Sequence, residues 1–234
     1  LSDKGNQTLQ KLLSHTPEGV FLAGITGLGY FSSYLSDLGY KTHFGIPSMF
    51  VEIHLTSVVL SICVIIFTLF IAALCITIPQ FRKYGPHLFA VLIPLMIAVI
   101  VGMKLNFSLN REYFLTVVFL FLFHAVLLFI FFHLAQKQKR ITNLIAVVLL
   151  ALMMVSVSYS SGSMIAKNRE HFLVSNQGQP LVVVDTYKDS LVVAPLEREN
   201  SRIRPAYRFV HLESDLNGKL SFSRQEVGPL TIHR

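Results

Sequence analysis

Apolar residues in this chain form long unbroken runs as far as residue 166 and short, partly alternating ones beyond it. A helix that crosses a bilayer needs about 20 predominantly apolar residues to cover the hydrocarbon. Residues 55–78, LTSVVLSICVIIFTLFIAALCITI, meet that need without a charge and stop at Pro79. Residues 113–135, YFLTVVFLFLFHAVLLFIFFHLA, are dominated by Phe and Leu, and residues 141–166 start apolar and turn small and polar near their end. Residues 86–103, PHLFAVLIPLMIAVIVGM, form a shorter run with Pro94 at its middle. Proline removes a backbone donor there, so this helix is expected to kink.

Residues 19–36, GVFLAGITGLGYFSSYLS, are short for a span and rich in Gly, Ser and Tyr. Ala23 with Gly27, and Gly29 with Ser33, are small residues four apart, the spacing that lets membrane helices approach closely. A fifth helix buried against the others is expected, with a re-entrant or interfacial segment as the alternative. The following DLGYKTHFGIPS reads as a loop carrying Asp37, Lys41 and His43.

After residue 166 the period shortens. Residues 171–175, 181–187, 191–194, 207–212 and 220–223 read as strands separated by turn-forming stretches such as NQGQP, KDS and ESDLNGK. Roughly 65 residues bury little core unaided, so this sheet is expected to lean on helices, on another copy or on a partner. The expected fold is an α-helical integral membrane protein of four or five transmembrane helices with a small C-terminal β-rich extramembrane module. Its parts are a polar segment at 1–18, a membrane domain at 19–166 and the module at 167–234.

Composition agrees. Of 234 residues, 53% are hydrophobic and 14% charged, against roughly 25% charged in soluble domains. The net charge of +7 does not point to nucleic acid, because the basic residues flank apolar runs, as membrane proteins place them. Cys63 and Cys75 sit about 18 Å apart on one helix and cannot pair. The opening LSDKGNQTLQKLLS lacks the apolar core of a secretory signal, and no prenylation ending is seen.

Charge also sets an orientation. Arg82, Lys83, Lys137, Lys139 and Arg140 lie in loops on one face, against Lys104 and Arg111 on the other. Cytoplasmic loops keep Lys and Arg, which puts the β module outside. With a span at 19–36, Lys4 and Lys11 join the inner face while Lys41, Lys167 and Arg169 join the outer one, so the bias narrows.

Candidate chemistry is sparse. His124 stands in mid-span, where ionisable groups are functional candidates by default. A haem or proton relay would recruit His54, His87 or His133, whereas a neutral imidazole bonded to a neighbouring helix needs no cofactor. Glu52 and His54, beside Asp37, Lys41 and His43, are capable of metal binding but read as hydrated or capping groups. Ser156 and Ser160 read as lining a helix contact or wet cavity, because Tyr159–Ser163 lacks the Gly-x-Ser-x-Gly elbow. HExxH, phosphate-loop and paired CxxC motifs are absent. Asn6 and Asn106 head chance-level glycosylation triplets. None of the four stronger spans holds Asp, Glu, Lys or Arg within it, and no inverted repeat shows. No catalytic, cofactor or metal site is expected.

With a Tyr/Gly-rich start, FGIP and a β tail, the chain resembles small multi-pass bacterial inner-membrane proteins. In size and helix number it is similar to the membrane subunit of a Kiwa-type antiphage defence pair. That resemblance covers the whole chain loosely, rests on no diagnostic motif and transfers no residue roles. The expected function is a non-enzymatic membrane sensor or adaptor in contact with lipid, homo-oligomeric, docking a protein partner through Arg198, Arg202, Arg204 and Arg208, with no direct nucleic-acid contact. The alternative is a channel or transporter subunit lined by Asn143, His124, Ser156 or Ser160.

Overall fold

The computed structural model describes residues 18–105, 111–137, 139–175, 178–211 and 221–233. The strand expected at 220–223 runs instead over Ser223–Glu226, and the polar segment with Lys4, Lys11 and Asn6, the Asn106 triplet and Leu220 lie outside the described residues. Among them run helices α1 (Glu18–Phe44), α2 (Leu55–Thr77), α3 (Pro79–Lys104), α4 (Arg111–Gln136) and α5 (Arg140–Asn168). Seven strands follow: β1 (His171–Ser175), β2 (Leu181–Tyr187), β3 (Ser190–Glu197), β4 (Arg202–Ile203), β5 (Arg208–His211), β6 (Ser223–Glu226) and β7 (Thr231–Ile232). The protein is a helical membrane protein with a small C-terminal β region, and four helices (α2 to α5) carry stretches long and apolar enough to cross a bilayer.

In lipid every backbone and hydroxyl group must find its partner within the protein. In α2 the hydroxyls of Thr68 and Thr77 each donate to the carbonyl four residues back, at 2.8 Å. The helix ends at Ile78, whose extended backbone is what a following proline favours. Pro79 then opens α3, a position where a missing N–H costs nothing. The expected 86–103 span is thus longer at its start, and it runs on as helix through Pro86 and Pro94.

The larger correction concerns α1. The stretch DLGYKTHF, expected as loop, continues the helix by two turns to Phe44. Gly45, at φ +68°, then closes it. The Ile46 N–H reaches back to the Lys41 carbonyl at 3.0 Å and the Gly45 N–H to Thr42 at 3.2 Å. This is a Schellman ending, which needs a left-handed residue that glycine adopts freely. FGIP is therefore a helix stop, sealed by Pro47.

The chain forms two compact units. The first takes in residues 53–101 and 114–158 together with the start of the chain up to Leu35. Its core joins α2 to α5 through Ile71, Ala72, Cys75, Ala90, Ile93, Leu128, Phe132, Ala146 and Met153. Gln136 ties α4 to two others, donating to the carbonyls of Cys75 at 3.3 Å and Arg82 at 2.9 Å. Large side chains such as Leu115 and Phe119 stay exposed, as a lipid-facing surface requires. Of the expected small-residue contacts, Gly29 packs on Ile62 and the Val58 carbonyl, whereas a side chain at Gly27 would meet open space.

The second unit comprises Ser36–Glu52, Gly102–Tyr113 and Tyr159–Arg234, so it includes the ends of α1 and α5. The strand order is β6-β1-β2-β3-β4-β7, with β5 beside β4 on the same edge of β3. The strands at the two ends of that order, β6 and β7, are separated in sequence only by Val227–Leu230, so the sheet must curl round upon itself. Val182, Val184, Val192 and Ala194 point into its main core and meet Phe172, Ile203 and Leu230. Phe44, Ile46 and Ala166, contributed by the ends of α1 and α5, fill the same core. Leu181, Val183 and Val193 form a second cluster on the opposite face. That explains the near-continuous apolar run LVVV: both faces of β2 are covered.

Candidate functional site

Helix α1 carries Asp37 and Lys41 one turn apart, the i,i+4 spacing that brings opposite charges together. Lys41 Nζ lies 2.8 Å from Asp37 Oδ2 and 2.6 Å from Asp185 Oδ2, and the lysine side chain is wholly buried. Asp185 comes from β2, at the place where the β2–β3 register slips between Val183 and Asp185. Asp37 Oδ2 also accepts the Glu52 N–H at 2.8 Å. One ammonium thus serves two carboxylates.

The electrostatics follow from that ratio. Burial works against the charge on Lys41, but hydrogen bonds to Asp185 and Asp37 outweigh it and hold its pKa above the usual lysine value. Burial pushes Asp185 above the usual carboxylate value, with Lys41 and the Thr186 N–H pulling the other way. The cluster carries one negative charge in excess, so its carboxylate is the easier group to neutralise.

Tyr40 lies next to this group. Its hydroxyl donates to the Val184 carbonyl at 2.8 Å and accepts from Arg169 Nη1 at 2.7 Å. Burial raises its pKa to about 12, partly offset by Arg169. Arg169 is held further by a bond from Nε to the His171 carbonyl at 3.2 Å and by the Phe172 ring, 4.7 Å from its guanidinium. The β2–β3 hairpin is tied down at its tip as well. Lys188 sits at φ +48°, a conformation that costs a non-glycine residue free energy, and its N–H donates to Glu52 Oε1 at 2.7 Å. Asp37, Lys41 and Glu52, expected as hydrated loop charges, are therefore structural ties. Backbones also meet closely: a side-chain carbon at Gly39 would strike the Tyr159 carbonyl, and one at Gly162 the Ser36 carbonyl.

The sequence-expected intramembrane residues divide. His124 and Ser156 are brought together, with Nε2 3.2 Å from the serine Oγ, while Nδ1 lies 2.6 Å from the Leu120 carbonyl. That satisfies both ring nitrogens without a cofactor. Ser160 is half-buried and takes no part in the pair. Ser158, which the sequence reading passed over, is within 2.5 Å of Ser32 on α1. His87 and His133 approach one another, ring centroids 6.4 Å apart, and share Phe129 as a neighbour. Among the described residues no group of three or more His, Cys, Asp or Glu converges as metal ligands would.

The four arginines all lie on the surface. Arg204 Nε pairs with Glu197 at 2.7 Å, and Arg198 Nη2 donates to Gln225 at 3.1 Å. Arg202 stands opposite Glu197 and Arg208 opposite Val193 along one edge of β3. Four residues on a strand span about 13 Å, so these two belong to one face-width of the module. The charged stretch around Arg202, expected as a turn, contains β4 itself. No protein-family model, no curated protein and no solved structure matches the chain.

Proposed function

We propose that the protein is a non-enzymatic, multi-pass membrane sensor or adaptor that docks a partner through its β module and assembles as a homo-oligomer. The observation that carries this reading is the shared core of the second unit. Phe44, Ile46 and Ala166 are buried among the strand residues Val174, Val184 and Leu196, and Lys41 binds Asp185 across the same boundary. A sheet that borrows its core from two helix ends cannot be displaced without moving those ends. Such coupling is what a signal-relaying module needs and what a mere anchor does not.

The docking face is the side of the sheet formed by β4 and β5, which bear Arg202 and Arg208. Among the described residues β5 pairs only with β3, and an unpaired strand edge is a ready template for a partner's strand. Phe209, exposed on β5, stacks near Phe50 at 5.0 Å and Tyr187 at 6.2 Å, adding an aromatic anchor. The module lies on the face opposite Arg82 and Lys139, periplasmic in a bacterial inner membrane. Antiphage defence, suggested by the architectural resemblance, is the biological setting we favour. The channel reading is not adopted, because the His124–Ser156 pair is self-satisfied.

A photo-crosslinking residue at position 206, exposed between Arg204 and Arg208 and expressed in the native host, tests this. A discrete crosslinked partner, lost in a variant with Arg198, Arg202, Arg204 and Arg208 all changed to Ala, supports the proposal. Crosslinking only to lipid, or partner capture unaffected by the quadruple change, rejects it.

A further inference from the structure

Helix α3 ends at Lys104 and α5 at Asn168. Between them the chain makes one return pass through α4, so both ends reach the same face of the bilayer. At that level the second unit holds a cavity of about 440 Å³. Three of its lining residues are cations: Lys104, Arg169 and Arg224. Glu170 is the single carboxylate in the lining, and Leu105 and Ile165 supply apolar wall.

Two features set this cavity apart from ordinary surface. First, among the described residues none of its three cations forms an ion pair. Arg169 is fixed by Tyr40, the His171 carbonyl and the Phe172 ring, all uncharged partners, so its charge is placed but unneutralised. Arg224 is exposed on β6 opposite Leu173 of β1, and Lys104 is exposed in the last turn of α3. Second, the lining sets apolar wall beside that charge at the helix ends: Ile165 lies one turn within α5, Leu105 directly follows α3, and Phe172 and Leu173 lie on β1.

We propose that this cavity binds the phosphate of an anionic phospholipid, with its glycerol and upper acyl carbons against Leu105 and Ile165. Basic pockets at span ends recognise acidic headgroups in this way. A soluble phosphate shares the charge but has no use for the apolar wall, and it is for this reason that the lipid is preferred. This inference is independent of partner docking at β4 and β5, since the cavity is lined from other strands.

The test uses the full chain reconstituted in nanodiscs of phosphatidylcholine, with or without phosphatidylglycerol, followed by detergent release and native mass spectrometry. Wild type is expected to retain phosphatidylglycerol in preference to phosphatidylcholine. The double variant Lys104→Gln/Arg224→Gln removes two cations while leaving Arg169 in its structural role. At about a factor of five for each basic residue near a membrane surface, retention should weaken roughly thirtyfold. Arg82→Gln/Lys83→Gln, on the other face, should leave retention unchanged. The proposal is overturned if the Lys104/Arg224 variant retains the lipid as wild type does. It is also overturned if both variants lose it equally, or if inorganic phosphate alone displaces the bound lipid.

Discussion

Substituting Lys41 by Met isolates the buried charge cluster. The methionine keeps most of the volume and removes the one cation that faces Asp37 at 2.8 Å and Asp185 at 2.6 Å. Breaking a buried ion pair from one side leaves an uncompensated charge and typically costs about 3–5 kcal/mol. Here the carboxylate side chains keep 9% and 13% exposure, which lets water soften the loss, so the lower end of that range, about 3 kcal/mol, applies. A factor of ten per 1.4 kcal/mol turns this into roughly a hundredfold faster exchange of the β2 and β3 amides.

Hydrogen exchange read by mass spectrometry on the detergent-solubilised chain measures this directly. The triple variant Lys41→Met/Asp37→Asn/Asp185→Asn removes all three charges together, which tends towards neutrality, and should restore most of the protection. Asp185→Asn alone leaves the Lys41–Asp37 pair balanced and should cost far less than Lys41→Met. Unchanged protection in Lys41→Met, or no recovery in the triple variant, would refute the view that an unpaired charge is the cause. The pH dependence has a definite sign. Burial holds Asp185 above the usual carboxylate value, so the folded unit binds that proton more tightly than the unfolded chain does. Its contribution to stability therefore grows as pH falls from neutral through the raised value and levels off below the unfolded one. Asp185→Asn should flatten that slope.

Three further outcomes follow from single positions. Gly162→Val drives a side chain into the Ser36 carbonyl and should cost about 1–3 kcal/mol or more, lowering the monodisperse fraction on size-exclusion chromatography, whereas Gly27→Val, with open space around it, should behave as wild type. His124→Leu forfeits its 3.2 Å contact to Ser156, worth about 0.6 kcal/mol for such interhelical bonds, so the melting temperature should move little. Cysteines introduced at Asn200 and Lys137 should be labelled from opposite faces of the membrane by an impermeant maleimide, since one span separates them; labelling from the same face would mean a miscounted helix.

What the sequence disclosed depended on how local each cause was. The spans of α2, α4 and α5 are written as contiguous apolar runs, and β1 and β2 as apolar runs between turn residues, so they could be read within a residue or two at each end. The tail of α1 could not, because DLGYKTHF looks polar in isolation and its helix is supported by Asp37, Lys41 and the Gly45 stop acting together. β4 was missed for a related reason. Arg202 and Ile203 have no strand composition of their own, and are held by pairing with Glu197 and Leu196 on one side and with β7 on the other. The Lys41–Asp185 tie joins residues 144 positions apart, which no spacing reveals. Two signals are nevertheless present in the sequence: an i,i+4 acid–base pair in α1, and a lone aspartate inside LVVVDTY.

The tie between α1 and β2 also bears on how so small a sheet is supported. A sheet this small cannot bury enough apolar surface to stand alone, and here the deficit is met by helix ends rather than by a larger sheet. The junction itself allows little slack, since only Arg169 and Glu170 separate α5 from β1, and Arg169 is pinned at three points. The Glu170 carbonyl accepts from Val227 and Gly228 at 3.1 and 2.8 Å, so the second junction residue is tied too. A tethered domain on a flexible linker would leave its membrane helices indifferent to whatever it binds. This module has no such freedom: a ligand that favours one curl of the sheet must also favour one placement of Phe44 and Ala166, and so biases the ends of α1 and α5 by whatever difference in affinity it has for the two.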